Sequence, residues 1–286
     1  MDSHSEEFKN PTDHDDQYLG PQETRSSAIH RIRTAGNVSI SPELFEKLYL
    51  NPKIPVAGNL RQVLGNPTPI AITGFVISLT PLSCDLMGWR GAGGNGAANI
   101  GAYFFFGGIL LMVGGFLEFI IGNTFSSVVF MSFASFYLTL GSTLQPFYGA
   151  YAAYSPSATD PTAGLDTQGF NATFGFFLVF FEILCFFYLI CSLRTNLVLV
   201  YIMFTVVVGL GLTAASYFHR ATQDASLAHS YQVAGGAILF ACSLGGWYLL
   251  LALLLPTVDF PFELPVGDLS CRIPSMSQRK LNKDQV

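Results

Sequence analysis

The chain has 286 residues, of which 50% are hydrophobic and only 12% are charged, about half the charged fraction of a typical soluble domain. Its net charge is −5 at pH 7, and no basic patch suggests nucleic acid binding. Of the 14 Lys and Arg residues, only Arg90, Arg194 and Arg220 lie between Asn66 and Cys271. This composition excludes an ordinary soluble domain and predicts a membrane protein.

The N-terminal part of the chain is polar. Residues 1–40 are rich in Asp, Glu, Ser, His and Gln, and a segment that cannot bury enough apolar surface is predicted to be a disordered tail. Ser41-Pro42-Glu43 has the pattern of a helix start. Residues 41–65 are therefore predicted to form an amphipathic juxtamembrane segment.

Six apolar runs follow between residues 66 and 256, and residues 257–286 form a polar C-terminal tail. Each run has about 20 residues or more, enough to cross a hydrocarbon core of roughly 30 Å. The predicted fold is an all-α membrane protein with six transmembrane helices. The predicted spans are about 67–87, 100–121, 125–147, 171–193, 197–218 and 231–255, with loops at 84–99 and 219–230.

An even number of spans places both termini on the same side of the membrane. The two ends hold 11 of the 14 basic residues, since three lie between them. Basic residues concentrate on the cytoplasmic side, so both termini of this multi-pass membrane protein are predicted to be cytoplasmic.

The first span begins with Asn66-Pro67-Thr68-Pro69. Proline suits the first turn of a helix, and the Asn66 side chain is placed to cap it. The exposed amides and the positive end of the helix dipole attract anions. This helix start is therefore a candidate carboxylate site if it lies beside a pore at membrane depth, although the spacing alone favours an ordinary capped helix at the membrane surface.

Two acidic residues, Glu118 and Glu182, lie inside apolar runs. An intramembrane carboxylate is costly and is a candidate for proton handling. The structural alternative for Glu118 is a hydrogen bond to Asn123 or Thr124 in the turn that follows. Glu182 could instead face a neighbouring helix or a second subunit.

The sequence lacks the motifs that would support an enzyme activity. The sequence has no nucleophile–base pattern, no phosphate-binding loop and no metal-ligand spacing, so no catalytic residue, metal or cofactor is predicted. His219 and His229 flank one polar stretch and could sense pH, although a solvated loop is the simpler explanation.

Several patterns together resemble the acetate uptake transporter family, which includes the bacterial succinate–acetate permeases and the fungal acetate and ammonia-export proteins. The resemblance covers about residues 44–255. It rests on the Asn66-Pro67-Thr68-Pro69 opening with Phe75 after it, Gly107-Gly108 in the second span, Glu118 before Asn123-Thr124-Phe125, and Phe133, Phe136 and Leu138 in the third span.

The resemblance implies a homo-hexamer in lipid, with one pore in each subunit. It implies a pore constriction of Phe75, Phe133 and Val206, and a substrate site at Asn66, Pro67, Thr68 and Phe75. Such an apolar neck makes a small carboxylate shed its water and can gate by dewetting. The expected function is transport of acetate and related short-chain monocarboxylates, either channel-like or proton-coupled.

The sequence departs from the family where Ala71, Phe106 and Leu111 stand, since the family usually has Gly, Tyr and Gln there. These changes remove polar groups or add bulk. Two alternatives therefore stay open: an acetate sensor without net flux, and an exporter of ammonia or ammonium.

Overall fold

The computed structural model describes residues 64–269. The predicted tail at 1–40, all of the 41–65 segment except its last two residues, and the end of the C-terminal tail lie outside the described residues.

Within residues 64–269, six helices are long and apolar enough to cross a membrane, which confirms the predicted fold class. They are α1 (Thr68–Met87), α2 (Gly96–Ile120), α3 (Thr124–Leu144), α4 (Gln168–Ser192), α5 (Leu197–Ala221) and α6 (Ala225–Leu254). Short 3₁₀ turns lie at Trp89–Gly91, Pro146–Tyr148, Ala152–Tyr154, Pro161–Asp166 and Leu255–Val258.

Helix α1 ends at Met87, where the predicted first span also ends. The predicted loop at 219–230 is instead largely helical, because α5 and α6 extend so far that only residues 222–224 connect them. Asp224 explains the early start of α6, because its Oδ1 accepts a hydrogen bond from the Leu227 amide at 3.1 Å and so caps the helix. His219 and His229 therefore lie on helices.

Helix α2 approaches α1 and α3 through small residues. Its segment Tyr103–Leu110 is π-helical, a rare form that is frequent at functional sites. A Cβ atom on Gly74 would lie 2.5 Å from the Phe106 carbonyl oxygen, and one on Gly107 would lie 2.5 Å from Tyr137 Cγ. Close backbone approach of this kind drives helix packing in lipid.

The six helices close into a ring. Helix α4 packs against α5, α5 packs against α6, and α6 packs against α1. Helix α2 packs against both α1 and α3. Aromatic contacts complete the ring between α3 and α4: Phe136 stacks on Phe181 with ring centroids 4.6 Å apart, and Phe125 meets Tyr188 edge to face.

Candidate functional site

A central cavity of about 60 Å³ lies inside the ring of helices. We call it the throat. Its wall is almost entirely apolar and comes from five helices, with α2 outside it. The lining residues include Phe75, Leu79, Leu82, Leu86, Phe133, Tyr137, Leu140, Phe181, Val206, Leu210, Thr213 and Tyr217.

The three side chains predicted to form a constriction line this one cavity. Phe75 and Phe133 meet edge to face with ring centroids 5.7 Å apart, and Val206 is 2% exposed. At 1.5 Å per residue they lie roughly 10–14 Å from the ends at which α1, α3 and α5 begin. The other lining residues of those helices lie farther along, so Phe75, Phe133 and Val206 narrow one end of the throat.

Phe181 of α4 completes this group and was missed by the sequence reasoning. Its ring centroid lies 5.3 Å from that of Phe133, edge to face, and it lines the throat. Phe174, Phe177 and Phe181 follow each other at helical spacing, and that periodicity could have identified one inward face of α4. We call Phe75, Phe133, Phe181 and Val206 the apolar ring.

Few polar groups reach the throat. Thr213 donates its hydroxyl hydrogen to the Gly209 carbonyl within its own helix at 2.8 Å. The Tyr137 hydroxyl, by contrast, takes part in no hydrogen bond within residues 64–269. Tyr137 can therefore donate to a small acid that passes along the wall.

The predicted helix start forms, with its amides already partnered. Asn66 Oδ1 accepts a hydrogen bond from the Thr68 amide at 2.9 Å, and the Ile70 amide donates to the Pro67 carbonyl at 3.0 Å. Asn66, Pro67 and Thr68 do not line the throat, whereas Phe75 does. Substrate binding at the helix start stays a prediction, and it requires these hydrogen bonds to exchange.

Glu118 is fully buried and holds this helix start in place. Its Oε1 accepts a hydrogen bond from the Thr68 hydroxyl, and its Oε2 accepts one from Asn123 Nδ2 at 2.5 Å. The Asn123 amide also donates to the Glu118 carbonyl at 2.8 Å. This geometry supports the structural alternative, in which Glu118 joins α1 to the turn between α2 and α3.

Glu182 lies away from the throat. Its side chain is half-buried between α4 and α5, where a Cβ atom on Gly211 would come within 2.7 Å of Glu182 Oε1. It does not line the cavity. Proton handling or a subunit contact at this residue stays a prediction.

The chain is similar to a known protein family and to several fungal proteins. Residues 48–271 match the GPR1/FUN34/yaaH family. The chain is 45% identical over 248 residues to Protein alcS of Aspergillus fumigatus, which covers 87% of this chain and 90% of alcS. It is 32% identical over 207 residues to the acetate transporter protein patA of Aspergillus clavatus, covering 72% of this chain and 79% of patA.

A solved structure resembles the helical bundle. The bacterial acetate channel SatP superposes with a TM-score of 0.56 at 26% sequence identity. The match covers 71% of this chain and 99% of SatP. The matched part of this chain therefore spans nearly the whole length of the SatP chain.

Proposed function

The chain belongs to the GPR1/FUN34/yaaH family, and from that premise we propose that it carries acetate and related short-chain monocarboxylates across a membrane. The acetate transporter patA and the acetate channel SatP, to which it is similar, support this substrate class. The proposal assigns the chain to transport, with no catalytic role.

The observation that carries the proposal is the throat with its apolar ring. Phe75, Phe133 and Val206 line one cavity, and an apolar constriction passes a solute only after the solute has lost most of its water. A small acid with a single carboxyl group loses less hydration free energy than a larger polyanion. The geometry therefore favours small monocarboxylates over di- and tricarboxylates.

The direct test is uptake of labelled acetate by the full-length protein in liposomes, with and without an inward proton gradient. We expect uptake above that of empty liposomes, and Phe75→Ala should admit longer acids. Phe204→Ala is the matched control, since Phe204 is 55% exposed on α5 and does not line the throat. Uptake equal to that of empty liposomes under every gradient would refute transport. Dependence on the gradient distinguishes proton coupling from a channel.

The same throat fits a neutral gas, because its lining is almost wholly apolar. Ammonia export is therefore the second candidate function. Alkalinisation inside the same liposomes, after an ammonium pulse, measures it. Ammonia flux without acetate flux would replace the first proposal with the second.

We further propose that the subunits assemble as a homo-hexamer in the plasma membrane, with both termini cytoplasmic. Large apolar side chains on the outer faces of α2 and α4 support an assembly within lipid: Phe105, Phe116, Phe119, Phe176, Phe180 and Phe187 are all more than half exposed in the single subunit. The mass of the purified protein in mild detergent tests the hexamer.

A further inference from the structure

A second cavity lies at the end of the bundle opposite the apolar ring. It has a volume of about 480 Å³ and is lined by polar side chains, among them Asp166, Arg220, Gln223, His229 and Gln232. These residues come from the loop before α4, the end of α5 and the start of α6. We call it the Arg220 pocket. With the proposed orientation it faces the outside of the cell.

The Arg220 pocket adjoins the throat through two residues. Tyr217, one turn before Arg220, lines the throat, and the guanidinium carbon of Arg220 lies 5.5 Å from the Tyr217 ring centroid. Gln232 Nε2 donates to the carbonyl oxygen of Leu86 at 3.1 Å, and Leu86 also lines the throat. Residues that line the pocket are therefore in direct contact with residues that line the throat.

Arg220 is held in position by its neighbours. Its side chain is half-buried, and one terminal nitrogen donates to Gln232 Oε1. The Tyr217 ring adds a cation–π contact from below. A guanidinium carries N–H donors in a planar fork that matches a carboxylate, and partial burial strengthens its attraction for an anion relative to bulk water.

The rim of the pocket carries the opposite charge. Asp166 is exposed there, and His229 of α6 lines the same pocket. The carboxylate of Asp166 repels other anions, and this repulsion is larger for a ligand with two or more negative charges than for a monoanion. The pocket therefore suits a monoanion that is small enough to reach Arg220.

We propose that the Arg220 pocket is a loading site for small monocarboxylate anions, in which the Arg220 guanidinium binds the carboxylate before the anion enters the throat. The identity of the ligand rests on the proposed function. The site itself is separate from the apolar ring and from the helix start at Asn66.

The site is tested by protection of a cysteine placed on its rim. Gln223→Cys in the full-length protein in lipid nanodiscs is labelled with a thiol reagent, and mass spectrometry of the peptide that contains position 223 gives the labelling rate. We expect acetate to slow this rate more than the same ionic strength of sodium chloride does. Ala158→Cys, on the exposed loop between α3 and α4, is the matched control and should show no protection.

Arg220→Gln should raise the acetate concentration that gives half-maximal protection by roughly tenfold, the size expected for the loss of a charge-assisted hydrogen bond. Arg220→Lys should recover part of the affinity. Arg90→Gln removes an equal charge from the exposed turn after α1, on the same proposed side of the membrane. It should leave the acetate concentration for half-maximal protection unchanged. Equal protection by chloride and acetate, or full protection in Arg220→Gln, would overturn the proposal.

This experiment separates the two proposals. Protection by acetate without uptake in liposomes would remove the transport function and keep the loading site. Uptake without protection at position 223 would remove the loading site and keep the transport function.

Discussion

The two ends of the throat are built from opposite chemistry. At one end the apolar ring presents three phenyl groups and a valine, and each of these residues is at most 9% exposed. At the other end the Arg220 pocket presents an arginine, an aspartate, a histidine and two glutamines. A charge deep inside a narrow passage would hold an anion too tightly, whereas an apolar ring attracts none. In the proposed transport, the anion would therefore be attracted at the Arg220 pocket and would lose its water at the apolar ring, at a different depth in the bundle.

The largest effect, on acetate uptake, is expected when the space inside the apolar ring is filled. Val206→Phe adds a ring to a cavity of about 60 Å³, so nearly all acetate uptake should be lost while the protein still assembles. Labelled acetate uptake in liposomes measures this change. Val208→Phe, two residues along and 36% exposed, is the control and should retain uptake. Normal uptake by Val206→Phe would show that solute does not pass the ring.

The second largest effect is expected on the free energy of unfolding, and it compares Glu118 at the start of α1 with Gln232 beside the Arg220 pocket. Glu118→Ala leaves the buried donors of Thr68 and Asn123 without this acceptor, and it should cost about 2–4 kcal/mol of unfolding free energy. Gln232→Ala breaks a half-buried contact at the other end and should cost about 1 kcal/mol or less.

The midpoint of thermal unfolding in detergent compares these two variants. Equal midpoints would contradict a special structural role for Glu118. If Glu118→Gln kept the midpoint but flattened the pH dependence of uptake, Glu118 would be a proton-handling residue instead.

The smallest effect is a change in selectivity. Phe181→Ala widens the apolar ring. The uptake of propionate and butyrate, relative to that of acetate in the same mixture, should therefore rise several-fold. Phe204→Ala is the matched control, because it removes the same kind of side chain from a position that is 55% exposed and does not line the throat. An identical selectivity profile for the two variants would exclude Phe181 from the ring.

Much of the fold could be predicted because hydrophobic length is a local property. Six apolar runs define six helices, and the Asn66 side chain does bond to the Thr68 amide. The polar stretch at 219–230 was predicted to be a loop, and the start of α6 at Ala225 was missed although Asp224 is a preferred N-cap residue type that could have indicated it.

The candidate site was only partly accessible from the sequence. Phe75, Phe133 and Val206 came from a family resemblance, while Phe181 emerged from its contact with Phe133. The bond between Thr68 and Glu118 joins residues 50 positions apart, and no local pattern reports such a pair. The Arg220 pocket likewise needs three chain segments to meet at one end of the bundle.

The buried carboxylate at the base of α1 has a consequence for opening and closing. Because Glu118 fastens Thr68 to the α2–α3 turn, these hydrogen bonds restrict movement of the start of α1 relative to that turn. If the proposed transport takes place, rotation of the phenyl side chains in the apolar ring is then a smaller and faster way to open the passage than the tilting of a whole helix. Conductance through such a passage would fluctuate with the rotation of each phenyl group.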